Sequence, residues 1–245
     1  MELKIAQKIV VAALALSGAA FAQTKAPEPD YTLSYNVGVV TDYRYRGISQ
    51  SRLNPALQGG IDYAHKSGFY VGTWLSTIQW IKDAGGGSDV EWDIYGGYKF
   101  PLGDVGMDVG VLRYQYPSHG LAVSPNTTEL YVAGTVGVFT LKYSHAVTNT
   151  FGFFDSKNSS YLDASAAIDL GDGYSLTPHI GYQKINNFSA GSYLDYALTL
   201  GKDFGNGFSA TAAIIGTDAD KTVYFTPSGK FTGRAGLVLG AKYSF

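Results

Sequence analysis

Apolar and polar residues alternate in short runs along nearly the whole chain. Within 88–100, Val90, Trp92, Ile94, Tyr98 and Phe100 share one face, and Glu91, Asp93, Tyr95 and Lys99 share the other. Within 158–170, Leu162, Ala164, Ala166, Ile168 and Leu170 oppose Tyr161, Asp163, Ser165 and Asp169. Within 173–185, Tyr174, Leu176, Ile180 and Tyr182 oppose Ser175, Thr177, His179 and Gln183. A period of two places successive side chains on opposite sides of an extended strand. The pattern predicts twelve strands, at 33–46, 55–65, 68–79, 88–100, 105–116, 127–137, 139–148, 158–170, 173–185, 192–203, 207–217 and 233–245. Each runs about ten to fourteen residues, long for a globular strand and right for a tilted membrane-crossing one. Pro178 counts against the ninth, because proline removes a ladder donor. The third, fifth and sixth alternate poorly, which points to a bulge or a different register there.

The connectors alternate in length. Short ones fall at 65–68, 101–104, 137–139, 171–173 and 204–207, where Gly, Asn and Asp supply the positive φ that tight hairpins need. Longer ones fall at 47–54, 80–87, 117–126, 149–157, 186–191 and 218–232. Alternating turns and loops are those of an all-β, antiparallel up-and-down barrel with both termini on the tight-turn side. The ending agrees. Leu237, Leu239, Ala241, Tyr243 and Phe245 fall on one face up to the last residue. A soluble sheet seldom leaves so aromatic an edge open, whereas a barrel closing in lipid has no open edge. Tyr243 and Phe245 also resemble the carboxy-terminal signal read by the barrel-assembly machinery of bacterial outer membranes.

The amino-terminus predicts export. Lys4 and Lys8 form a basic start, Ile9 to Leu16 an apolar run too short to span a bilayer, and Ala20-Phe21-Ala22 a cleavage site before Gln23. The expected organisation is a signal peptide at 1–22, a periplasmic lead at 23–30 and an outer-membrane barrel at 31–245, in contact with outer-membrane lipid. The chain has no cysteine, so disulfides, thiolate metal sites and thiol nucleophiles are excluded. Its formal charge is −2, which does not suggest a nucleic-acid partner. No cofactor is implied, and the four histidines, 65, 119, 145 and 179, have no metal-ligand spacing.

Candidate chemistry lies on the polar faces. Asp42, Arg44 and Arg46 alternate at the end of the first segment, and Asp62, Glu91, Asp93, Lys99 and Asp195 occupy polar positions elsewhere. Placed inward, they make a lumen of mixed charge that orients a polar solute. The same charges, paired with one another, would fill the barrel as a polar core. Ser144-His145 raises the different reading of a lipid-facing hydrolase, which needs a partner to orient its base.

Residues 36–80, NVGVVTDYRYRGISQSRLNPALQGGIDYAHKSGFYVGTWLSTIQW, resemble the proteobacterial family of outer-membrane proteins labelled TorF and described as porins. The specific blocks are VTDYRYRGISQS at 40–51 and PALQGGIDYAHKSGFYVGTW at 55–74; DVEWDIYGGY at 89–98 and YQYP at 114–117 add weaker matches. The resemblance implies an outer-membrane barrel of porin type and brings no catalytic residue or defined substrate. The expectation is passive diffusion of small polar solutes or ions. The rivals are an outer-membrane lipid hydrolase and a non-conducting structural or adhesive barrel.

Overall fold

The structure is a computed structural model that describes residues 29–245. The signal segment, the Ala22–Gln23 cleavage site and most of the 23–30 lead lie outside the described residues. Strand β1 covers Tyr31–Val40. Two short pieces follow, β2 (Arg44–Tyr45) and β3 (Ile48–Ser49). Next come β4 (Ala56–His65), β5 (Phe69–Thr77), β6 (Val90–Leu102), β7 (Val105–Gln115), β8 (Thr127–Val136) and β9 (Phe139–Ala146). The remainder are β10 (Ser160–Ala166), β11 (Ile168–Gly171), β12 (Tyr174–Lys184), β13 (Tyr193–Gly205), β14 (Phe208–Thr217) and β15 (Gly236–Ser244). A short helix, α1 (Trp80–Asp83), and a 3-10 turn at Ser189–Gly191 decorate two loops.

Each wall strand pairs antiparallel with its sequence neighbour, and β1 pairs with β15, so the sheet closes on itself. Closure extends past the last strand: Tyr35 and Phe245 exchange backbone hydrogen bonds at 2.9 and 3.0 Å. β10 and β11 are two parts of one wall strand, since both pair with β12. The ladder lapses beside Pro178, but the β12–β13 register runs through it unbroken. The result is a closed antiparallel barrel of twelve strands, with five tight turns at one end and six loops at the other.

The outside of the wall is apolar. Leu33, Val37, Val39, Leu57, Leu198 and Leu237 are all exposed there. Outward aromatics gather towards both strand ends, with Phe69, Phe139 and Phe204 near the tight turns and Trp92, Tyr143 and Tyr182 near the loops. An apolar band between aromatic girdles is what a bilayer requires of a barrel.

The third, fifth and sixth predicted strands, β5, β7 and β8, carry no bulge; their registers are continuous. Their alternation is masked because the inward face is itself partly aromatic. Inward Tyr131 lies over Gly110 of the next strand, where a Cβ would meet its hydroxyl at 2.5 Å. The register shifts that do occur lie beside tight turns, at Asp169/Gly171 and Asp203/Gly205.

The main departure from the sequence reading is at the first strand. It ends at Val40, not at residue 46. Segment 42–51 folds into the barrel, where Tyr43, Ile48, Ser49 and Ser51 are buried. Tyr43 and Tyr45 alternate with Asp42, Arg44 and Arg46 just as a wall strand does, because an inward hairpin has the same period.

Candidate functional site

The inward segment is organised by a tight hairpin. Arg44 pairs with Ser49 and Tyr45 with Ile48. The two turn residues, Arg46 and Gly47, have φ of 46° and 78°. Two positive φ values in a two-residue loop mark a type I′ turn, in which glycine is favoured at the second position. The Tyr-Arg-Gly-Ile stretch of the sequence is thus a turn aimed into the lumen.

Arg46 is the tip of this turn. Its guanidinium donates to Glu129 Oε2 on β8 at 2.6 Å and to Gln183 Oε1 on β12 at 2.5 Å. It also stacks over Tyr161 of β10, 4.1 Å from the ring centroid. One side chain from the first loop therefore bridges to three strands of the wall. Arg44 acts differently. It donates to Asp42 at 2.5 Å and to the carbonyls of Gly47, Thr232 and Arg234 at 2.9 to 3.0 Å. It fastens the hairpin to the 218–235 loop. Asp42 also accepts from Ser49 at 2.5 Å, which fixes the base of the hairpin.

Behind the hairpin lies a buried acidic and phenolic cluster. Glu91 accepts from Tyr43 at 2.5 Å and from Tyr116 at 2.7 Å. Asp93, next on the same face of β6, is buried, and its Oδ1 has no hydrogen-bond partner among the described residues. Opposite, His179 contacts Asp163 at 2.5 Å and Asp195 at 3.6 Å, and Tyr161 donates to Asp195 at 3.0 Å. Nearer the tight turns, Tyr95 donates to Asp62 at 2.6 Å, Lys99 lies over Tyr70, and Lys142 over Tyr131.

All eight residues singled out in the sequence are thus inside the barrel outline, in three groups. Asp42, Arg44 and Arg46 belong to the hairpin, Glu91, Asp93 and Asp195 to the wall around it, and Asp62 and Lys99 to the tight-turn half. The ion partner of Arg46 is Glu129. Glu129 has an inward polar position, but nothing in a one-dimensional pattern links it to residue 46. The polar-face positions of Tyr161 and Gln183 are legible in the alternation, but their contacts with Arg46 are not.

The hairpin divides the space. A cavity of about 350 Å³ lies on its loop side, lined by Tyr45, Trp80, Phe151, Gln183, Tyr193 and Tyr224 among others. Burial pushes the Tyr224 phenol up from its ordinary value. A second cavity, of about 370 Å³, reaches towards the tight turns and is lined by Tyr45, Arg46, Lys142, Asp163, His179 and Asp195. Tyr45 contributes to both.

Gly47 seats the hairpin. A Cβ there would overlap Thr217 and sit 2.9 Å from Asp195 Cβ. Gly47→Ala combines that overlap with strain at positive φ, and is expected to destabilise the seated hairpin by about 1–3 kcal/mol. Faster proteolysis within 41–55, with the barrel intact, checks it.

Ser144 faces the lumen and is buried, whereas His145 faces outward between Tyr143 and Asn158, each at 3.3 Å. The two do not form a dyad. Among the described residues, no group of three or more His, Cys, Asp or Glu side chains is placed to hold a metal.

A family model described as "Bacterial protein of unknown function (Gcw_chp)" matches residues 24–245. No curated protein matches. Among solved structures, the porin KdgM, described in complex with disordered oligogalacturonate, has a TM-score of 0.56 at 10% identity over 87% of this chain and 98% of its own. The porin NanC has a TM-score of 0.54 at 11% identity, over 87% of this chain and 99% of its own. At such identities the likeness is one of fold.

Proposed function

This chain belongs to the Gcw_chp family, and we propose that it is an outer-membrane channel of porin type for small polar solutes or ions. Passage is passive, along a charge-lined lumen that the Arg44–Ser49 hairpin narrows. The observation that carries this reading is the bridge from Arg46 to Glu129 and Gln183, which leaves a cavity on each side. Volumes of that size beside the charges speak for a lumen that is not packed solid. The porin fold of KdgM and NanC supports the same reading, as does the TorF resemblance of residues 36–80.

In this reading the tight turns face the periplasm and the six loops face outward. Arg46, Glu129 and Asp195 set the constriction, with Asp62, Lys99 and Lys142 along the periplasmic half. Asp42, Arg44, Glu91 and Asp93 hold the hairpin and shape its field. The opposed positions of Ser144 and His145 do not favour a lipid hydrolase.

Single-channel recording in planar bilayers tests the proposal. Refolded protein should give discrete conductance steps that charged solutes block. A flat current from protein with barrel-like spectra would favour a structural or adhesive barrel.

The carboxy-terminus offers a second test. Tyr243 and Phe245 face outward at the tight-turn end. Deleting Phe245 removes its hydrogen bonds to Tyr35 and the proposed recognition residue for the assembly machinery. Export should continue, with most of the protein lost from the outer membrane and recovered in the periplasm. Wild-type outer-membrane yield would overturn the insertion-signal assignment.

A further inference from the structure

The cavity on the loop side of the hairpin has features that a channel for ions does not need. Its walls are aromatic and come from separate parts of the chain. Tyr45 stands on the hairpin, Trp80 in α1, Phe151 and Phe153 in the 147–159 loop, Tyr193 at the start of β13, and Phe225 in the 218–235 loop. Its one charged lining residue, Asp83, is already engaged by Arg52. At least three hydrogen-bonding groups remain, the first being the indole N–H of Trp80, which is buried with no partner among the described residues. Gln50 is buried and donates to the carbonyl of Ile48, leaving its amide oxygen without a partner among the described residues. Tyr193 is buried with its ring edge-on to Tyr224 at 5.1 Å, and its hydroxyl likewise meets no partner among the described residues.

These facts restrict the occupant. About 350 Å³ is at the small end of ligand sites, enough for a ring with short substituents. Aromatic walls reward a ring placed edge-on or offset. An anion would lose its hydration with no cation free to replace it, and a cation would recover only part of its own from the ring faces. A sugar would leave most of its hydroxyls unpaired against the aromatic wall. We propose that this cavity is a binding site for an uncharged aromatic solute carrying one or two hydrogen-bonding groups, held on the outer side of the Arg46 bridge. The proposal deepens the channel reading and rests on it, since the site is the antechamber of the constriction. Tyr45 forms part of both cavities, so an occupant touches the hairpin that separates them.

Three probes matched in size test the chemistry: 4-hydroxybenzamide, 4-hydroxybenzoate and glucose, titrated calorimetrically into the refolded full chain at neutral pH, with empty micelles as the blank. The amide should bind saturably, the carboxylate at least about tenfold more weakly, and glucose not at all; tenfold corresponds to the loss of one well-buried apolar contact or its equivalent. Replacing Phe153 and Phe225 together by Ala should weaken the amide by about tenfold, because both rings line the cavity. Phe154→Ala is the control, since that ring is 80% exposed and does not line the cavity. Equal affinity for amide and carboxylate, or full affinity in the Phe153/Phe225 variant, overturns the site. Conductance without any probe is recorded on the same preparations. A barrel that conducts and binds no amide defeats the site alone. A barrel that binds the amide and carries no current defeats the channel reading and leaves the site standing.

Discussion

Arg46→Ala is expected to raise single-channel conductance several-fold and to turn the lumen cation-selective. The side chain reaches from the first loop to Glu129 and Gln183 and stacks on Tyr161, so it occupies the space between the two cavities. Its removal should widen the passage beside Tyr45, which lines both cavities. It also leaves Glu129 without its cation. The freed carboxylate then dominates the local potential, and low salt should exaggerate the change because screening weakens. Adding Glu129→Ala separates the two effects. The double variant should keep the larger conductance and lose the extra cation preference. Reversal potentials in a salt gradient, at high and low ionic strength, provide the measurement. A correctly folded Arg46→Ala channel with unchanged conductance would place the limiting constriction elsewhere.

Leu198→Arg is expected to cost about 2–4 kcal/mol in folding stability, the range for a cation placed on the lipid face near the bilayer midplane. Leu198 lies at the middle of β13, exposed on the outer wall, with Pro178 and Ile214 as its cross-strand neighbours. Thr199, the next residue, faces the lumen instead of the outer wall, so Thr199→Arg should cost much less. Urea titration of folding into lipid vesicles compares the two directly. Equal costs at both positions would mean that the two faces of β13 have been misassigned, or that the wall is not in contact with lipid.

The wall of this barrel was legible because it depends on local rules. Leu162 and Tyr182 face outward, and Tyr161 and Gln183 inward, because a strand exposes alternate residues to lipid and lumen. Gly205-Asn206-Gly207, like the other short connectors, announced itself by residues that tolerate positive φ. Strand count, closure, the alternation of turns and loops, and the inward placement of Asp62, Glu91, Asp93 and Asp195 all follow from such signals. They need no knowledge of what lies across the barrel.

The site needs that knowledge. The hairpin at Arg44–Ser49 keeps the same two-residue period as a wall strand, so no pattern of polarity separates a strand in lipid from one folded into the lumen. Only closure of the sheet decides it. The wall leaves room inside, and Asp42, Tyr43 and Arg44 find their partners there. The bridge from Arg46 to Glu129 joins residues 83 positions apart, and the bond to Gln183 spans 137. The aromatic cavity likewise draws seven rings from five separate segments, each unremarkable in its own stretch of chain. Periodicity set by the backbone and by an apolar outer face determined the barrel. The constriction and its cavities arise only where distant loops, brought together by closure, compete for the same space.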